Sequence, residues 1–430
     1  MDFLFSGVTI VTMDEALHVY FSAYLGVTDG KISYLSRQAP REQPKKILDG
    51  AGMVLLPGLI DCHSHLAMSL FRGALDQREL SGWTQAVLPL EDRLDKKAAR
   101  AAIRLALAQC LRFGITSVSD LYLYPEETAK AALEVGIKAN IAPAFTWFAS
   151  EMEEFDPETH PQWQDFVRLV EDWHGRENGR IRIDAGLHAA YTSNYRFWEP
   201  LSRFAREKGL GLQLHLGETP QEVEDSLERT GLPPAALLDC YHLLEVPVSA
   251  APCCSLSPED QALLARRGAS AVVCPQASAM LGLAQPPAAE LAKSGLNVAL
   301  GTGSAAQRQD LFDEMRLLCL QSQLPPAAVL MMATVCGAKA QGRQRECGML
   351  KVGMDADLIL VDFTAPHLIP CHDVMRSLAL CAGGSDVALT MVRGKILYAG
   401  GKFPTLDLDS TVHELVHDAV GRVFDPEDRK

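Results

Sequence analysis

Apolar residues fall into two textures along the chain. Near the N-terminus, positions 3–13, 23–36 and 45–58 are short runs rich in β-branched and apolar residues, broken by Gly7, Asp29-Gly30 and Asp49-Gly50. Such runs between turn residues predict strands. Positions 355–363 and 388–403 repeat the texture near the C-terminus, with turn signals at Arg393-Gly394 and Gly400-Gly401. Neither end has strands enough for a stable sheet of its own. One small β-sandwich assembled from both ends is the economical expectation.

Between the ends the period changes. Apolar runs at 59–63, 114–120, 136–143, 180–188, 211–218, 246–252, 269–275 and 296–303 alternate with amphipathic stretches such as 96–113, 197–208 and 258–267. Alternating strand and helix implies a parallel sheet with right-handed crossovers. Eight such units over roughly 300 residues predict an α/β fold, a closed (β/α)8 TIM barrel, with an open doubly wound sheet as the alternative. The expected parts are 1–55 and 348–405 for the β-sandwich, 56–347 for the barrel and 406–430 for a C-terminal helix. Positions 410–424 are amphipathic, so that helix should pack on the barrel or on a partner.

Composition adds exclusions. A net charge of −14, spread along the chain, argues against nucleic acid or an anionic membrane as partner. No apolar stretch approaches the length of a membrane span. The 11 cysteines lack framework spacing and contain no CxxC, and the first residues lack the order of a signal peptide. Reduced thiols and a cytoplasmic location are expected.

In a barrel of this kind, chemistry sits at the C-terminal ends of the strands. The first run leads into His63-Ser64-His65. Alternate strand residues share a face, so both imidazoles can point to the axis, and two neutral imidazoles suit zinc or a similar metal. The fifth run carries His215-Leu216-Gly217-Glu218-Thr219, with His215 placed for a third ligand and Glu218 placed to move a proton. His188 ends the fourth run. Taken singly, each residue has a plain alternative as a packing histidine or a solvated loop carboxylate. GxSxG, Walker A and HxE…PCxxC patterns are absent.

Six segments together resemble the amidohydrolase superfamily: PGLIDCHSHLAMSLFRG from Pro57, HAAYT from His188, HLGET from His215, LSPEDQALLARRG from Leu256, NVALGTG from Asn297 and GMLKVGMDADLILVD from Gly348. They are most similar to the branch that deaminates adenosylhomocysteine, methylthioadenosine and related nucleosides, with triazine chlorohydrolases and guanine deaminases nearby. The likeness spans essentially the whole chain. It implies one divalent metal, zinc first and iron, nickel or manganese as alternatives, held by His63, His65, His215 and a strand-eight aspartate. The metal's task would be to lower the pKa of the water that attacks the ring carbon. The aspartate would take the water's proton, Glu218 would pass a proton to the ring nitrogen, and a strand-six histidine would polarise the tetrahedral centre. The ligand implied is a small purine-like heterocycle touched by His188, and the assembly a homo-oligomer, dimer or tetramer. Trp83 is read equally as a stacking platform and as a buried core residue.

The resemblance breaks at four places. Pro252 stands where the strand-six histidine is expected, Gly303 where the strand-eight aspartate is expected, and Gly82 where a glutamate precedes Trp83. Cys274-Pro275-Gln276-Ala277-Ser278 replaces an Asn-Pro-Thr-Ser-Asn. Loss of a positioned base typically costs on the order of 10²–10⁴ in rate. Two readings follow: a C–N hydrolysing aminohydrolase with an eroded metal site and weak or lost deamination, or a catalytically inactive homologue serving as a ligand-binding or scaffold subunit. Three histidines and water can still hold zinc. Cys253, Cys254 or Asp120 could supply a missing ligand, whereas His242 precedes strand six, at the wrong end of the barrel. Gly303→Asp with Pro252→His is expected to raise metal affinity. A further reading takes Gly301-Thr302-Gly303-Ser304-Ala305-Ala306 as GxGxxA after a strand, holding a dinucleotide or another anion on backbone N–H groups.

Overall fold

The computed structural model describes residues 1–75, 79–148, 153–304 and 306–424. Eight parallel strands form the barrel. Strand one is Leu59–His65, strand two Ile115–Tyr122 and strand three Lys138–Pro143. Strand four is Ile181–Ile183 continued by Ala185–Ala189, and strand five is Leu212–Leu216. Strand six is Val248–Pro252, strand seven Ser270–Val273, and strand eight Asn297–Leu300 continued by Gly303–Ser304. Strands four and eight are each broken, and the breaks close the ring. The first half of strand four pairs with strand three and its second half with strand five. The first half of strand eight pairs with strand seven, and its second half pairs with strand one through Gly303–Ser64 and Ser304–His65. Strand two is buried throughout, as expected for a parallel strand covered on both faces.

Small side chains let the first long outer helix lie close to the strands. Lys96–Arg112 buries Ala98, Ala101, Ala102 and Ala106, and Asp95 caps it by accepting the Ala98 N–H. The C-terminal segment 408–423 packs on this helix and contains a π-helical turn at Glu414–Ala419. Thr411, Leu415, Ala419 and Val423 form its buried face at a spacing of four. Arg104–Glu414 at 3.2 Å and Arg422–Asp95 at 2.7 Å flank the contact. The amphipathic stretch therefore packs on the barrel. Positions 425–430 of the expected helix lie outside the described residues.

Both ends of the chain build the small β-domain. Five N-terminal strands between Phe3 and Pro57 join three C-terminal ones, Leu358–Asp362, Val387–Val392 and Lys395–Ala399, in a single eight-stranded sheet. The two contributions meet where Met53–Pro57 runs antiparallel to Leu358–Asp362. Phe3–Val11 divides one edge between Lys46–Asp49 and Met53–Pro57, and the sheet wraps its own core of Phe5, Ile10, Leu25, Leu55, Leu358 and Met391. The domain is bolted to the N-terminal end of the barrel by Lys138. Its fully buried ammonium pairs with Asp355 at 2.9 Å and Asp357 at 2.6 Å. Among the described residues no helix is long and apolar enough to cross a membrane.

Candidate active site

The C-terminal end of the barrel gathers the histidines. His63 and His65 from strand one and His215 from strand five each offer one ligand atom, and these atoms lie within 4.8 Å of one another. Among the described residues no other group of His, Cys, Asp or Glu side chains has this spacing. His65 Nδ1 donates to the Leu121 carbonyl at 2.7 Å, and His215 Nδ1 donates to the His188 carbonyl at 2.8 Å. A carbonyl only accepts, so both Nδ1 atoms carry protons and both Nε2 lone pairs are left for the centre. His63 Nε2 lies 3.1 Å from His215 Nε2. Two nitrogens on a tetrahedral cation with bonds of about 2.0–2.1 Å sit roughly 3.3 Å apart, so this separation suits a shared ion.

Burial keeps these imidazoles neutral, the form that ligates a metal. It holds His63 well below its ordinary pKa, with His65, His215 and His188 adding to the effect. Burial and then His215 bring His65 down to about 3. Burial brings His215 to about 4 against the pull of its hydrogen bond. Asp61 fixes the strand that carries the pair. It accepts the His63 N–H at 3.3 Å, the Thr302 N–H at 3.0 Å and the Thr302 hydroxyl at 2.7 Å, tying strand one to strand eight.

Glu218 is buried just beyond strand five, and the Tyr191 hydroxyl donates to its Oε2 at 2.7 Å. Burial pushes its carboxyl up, while Tyr191 and His188 pull it back. Glu222 accepts the Gly217 N–H at 3.2 Å and the Glu218 N–H at 2.7 Å, so a second carboxylate fixes the turn that presents the first. Burial and the Glu218 charge push Glu222 to about 7. His188 stands outside the three-imidazole group, with its ring centroid 5.0 Å from that of His215 and its Nδ1 3.2 Å from Thr192 Oγ1. Tyr191 and Glu222 escape the sequence reading. For Glu222 the available signal is an acid in the first turn of the helix Pro220–Thr230, four residues after Glu218.

The departures from the family pattern are filled with packing groups. Pro252 ends strand six beside Leu216 and brings no imidazole. Cys253 donates its thiol to the Ala250 carbonyl at 3.2 Å, and Cys254 Sγ lies 3.5 Å from Ser278 Oγ. Burial pushes the Cys254 thiol up to about 11 and that of Cys253 further, so neither is a thiolate. Asp120 has both oxygens engaged, one by the Leu66 N–H and one by the Thr128 hydroxyl, each at 2.8 Å. None of the three joins the imidazole group. His242 is exposed ahead of strand six and paired with Glu245 at 2.7 Å, away from the site.

Gly303 corrects one expectation. Its φ is +66°, and a Cβ there would lie 2.7 Å from the Ala277 Cβ. An aspartate grafted onto this backbone is strained, so Gly303→Asp is expected to lower stability by about 1–2 kcal/mol in a urea titration. It is expected to add no metal, and Ala277→Gly should recover part of the loss. The gain in metal affinity expected from Gly303→Asp with Pro252→His does not follow from this geometry.

The GxGxxA reading is also corrected. A Cβ at Gly301 would lie 2.9 Å from the His63 backbone, so this glycine serves a close approach of strand eight to strand one. The Gly301 N–H is bonded to the Val273 carbonyl at 3.0 Å and the Thr302 N–H to Asp61, which leaves neither for an anion. The next helix opens only at Leu311. Ala305 lies outside the described residues. Trp83 sits half-buried on the helix Leu80–Arg93, which also carries Gly82, and lines a pocket with Phe71, Leu75 and Met280.

Comparison with known proteins agrees with this geometry. Residues 54–397 match the amidohydrolase family. A 5-methylthioadenosine/S-adenosylhomocysteine deaminase of Moorella thermoacetica is 35% identical over 378 residues, which cover 85% of this chain and 87% of that protein. A 5'-deoxyadenosine deaminase of Methanosarcina mazei is 34% identical over 424 residues, 96% of each chain. The crystal structure of an adenosine deaminase from Xanthomonas campestris with bound zinc is similar with a TM-score of 0.90 and 28% identity, covering 96% of this chain and 97% of that one. Family match, whole-length relatives and a shared fold agree, and the chain belongs to the amidohydrolase family, in its deaminase lineage.

Proposed function

We propose that this protein is a metal-dependent aminohydrolase. It removes an exocyclic amine from a purine-like heterocycle, using three histidine ligands where its relatives' pattern has a fourth protein ligand. The observation that carries this reading is the convergence of three neutral imidazoles beside a buried carboxylate held by a phenol. His63, His65 and His215 would hold the ion, zinc first and iron, nickel or manganese otherwise. When bound, that ion supplies Lewis-acid activation of a water. Gly303 brings no base, so Glu218 takes on both proton transfers, removing one from the water and delivering one to the ring nitrogen. Burial raises its carboxyl above the ordinary carboxylate range, which favours uptake of the proton that it passes on. Tyr191 holds Oε2 and leaves Oε1 for the transfer. His188, kept neutral by burial at a pKa of about 4, is placed to contact the substrate. Pro252 contributes no charge stabilisation, so deamination should be slow for the family.

A second reading, an inactive ligand-binding or scaffold subunit, is favoured by Gly303, whose backbone and neighbour Ala277 shut out a ligand or base. Ammonia release separates the two. Metal-replete protein should release ammonia from at least one of adenosine, guanine or an aminotriazine, and lose that activity with a chelator. Binding of a heterocycle by calorimetry with no ammonia from any of them would establish the second reading. The setting we propose is cytoplasmic, as a homodimer or homotetramer, which sedimentation tests.

A further inference from the structure

The C-terminal segment carries a pattern that the barrel chemistry does not use. Positions 413–417 read His413-Glu414-Leu415-Val416-His417. Histidines four residues apart share one helix face, and His-Glu-x-x-His on a helix is the zinc-binding pattern of metalloproteases, in which the glutamate serves as base. Here His413 closes the helix Leu408–His413, and His417 lies in the π-helical turn Glu414–Ala419. Their ring centroids are 4.4 Å apart. The ring centroids of the barrel centre stand 4.8, 4.9 and 5.3 Å apart, so this pair is closer still. Both rings are exposed, and among the described residues neither has a hydrogen bond or an ion pair. The exposed His18, His242 and His367, in contrast, are each paired with a carboxylate, at 2.7, 2.7 and 3.0 Å. The backbone beneath the pair is fixed, because Leu415 and Ala419 are buried against the helix Lys96–Arg112. Glu414 is engaged by Arg104 at 3.2 Å and does not join the two imidazoles as a third ligand. The metal-holding half of the pattern is therefore present, while its base is tied up elsewhere.

We propose that His413 and His417 form a second metal site, an exposed two-imidazole chelate for a transition-metal ion such as Ni²⁺, Cu²⁺ or Zn²⁺, with solvent completing the coordination. Imidazole suits these ions, whereas Mg²⁺ and Ca²⁺ take oxygen ligands. With Glu414 engaged the site has no general base, so it binds an ion and does not cleave peptides. Two ligands open to water release their ion readily, so this site empties on desalting while the barrel centre keeps its own. The inference does not depend on the reaction proposed above.

The test is isothermal titration with nickel chloride of the parent, of His413→Ala and His417→Ala singly and together, and of Glu414→Gln, each checked for folding by thermal melt. The parent should take up about one more nickel ion per chain than the double variant, whether or not the barrel centre is already filled. Each single histidine variant should weaken this site by at least about tenfold, since even a partner that orients a ligand is worth about 10–100-fold in affinity. Glu414→Gln should bind nickel as the parent does, and magnesium chloride should show no difference between the parent and the double variant. A double variant that takes up as much nickel as the parent, at the same affinity, would overturn the site. Loss of the extra nickel in a folded Glu414→Gln would overturn the two-imidazole ligand set.

Discussion

Glu218→Gln is expected to lower ammonia release by about 10²–10⁴-fold with the metal content unchanged. Glutamine keeps the size of the side chain and an acceptor for the Tyr191 hydroxyl, but it cannot take a proton. Glu218 is not one of the three converging ligands, so the ion should stay. The pH profile adds a sign. Burial raises the Glu218 carboxyl, so its ionised form accumulates only above the ordinary carboxylate range. The rate should therefore rise with pH along a limb displaced upward from that range, and the limb should vanish in the variant. A variant within a few-fold of the parent, with the limb intact, would move the proton transfers to another group.

Lys138→Met is expected to destabilise the protein by about 3–5 kcal/mol, read as a lower urea midpoint at unchanged slope. The ammonium is fully buried between Asp355 and Asp357, with Glu346 at 3.6 Å. Asp357 Oδ2 meets it as an ion pair outside hydrogen-bond geometry and has no other partner, so removing the lysine strands a buried charge. Burial alone would raise the Asp355 carboxyl, but Lys138, Lys31 and Arg393 bring it down to about 2. A depressed carboxyl stabilises above its unfolded pKa, and that stability is lost as pH falls through the folded value. The acid limb due to Asp355 therefore runs from 3.8 to about 2 in the parent and should move upward in the variant. Lys138→Met with Asp357→Leu should recover much of the loss, because the pair is then replaced by apolar groups.

The alternation of runs and helices reveals the barrel in the sequence because parallel strands need a crossover each. The breaks in strands four and eight do not show there. Positions 180–188 read as one run, yet Asp184 interrupts it and turns inward to accept from Asn140 at 3.0 Å and Gln213 at 2.9 Å. The Asp29-Gly30 break inside 23–36 does show there, and it is the turn between the strands Val19–Thr28 and Lys31–Ser36. The HxH spacing puts two imidazoles on one face by strand geometry alone. His215, 152 residues away from His63, reaches them only because the barrel closes. Tyr191 and Glu222 act through contacts with Glu218 that local pattern does not encode. At Gly303 the family pattern shows a missing carboxylate, but the left-handed backbone and the Ala277 side chain that occupy its place are tertiary facts. The GxGxxA pattern fails for the same reason, since six residues do not disclose whether the chain next enters a helix or packs on strand one.

Metal content by elemental analysis, on protein purified without chelators and compared with His215→Ala, bears on the three-histidine centre most directly. The expected result is about one divalent ion per chain in the parent and close to none in the variant. A parent that holds no ion even after metal is supplied, or a variant that holds as much as the parent, would contradict it.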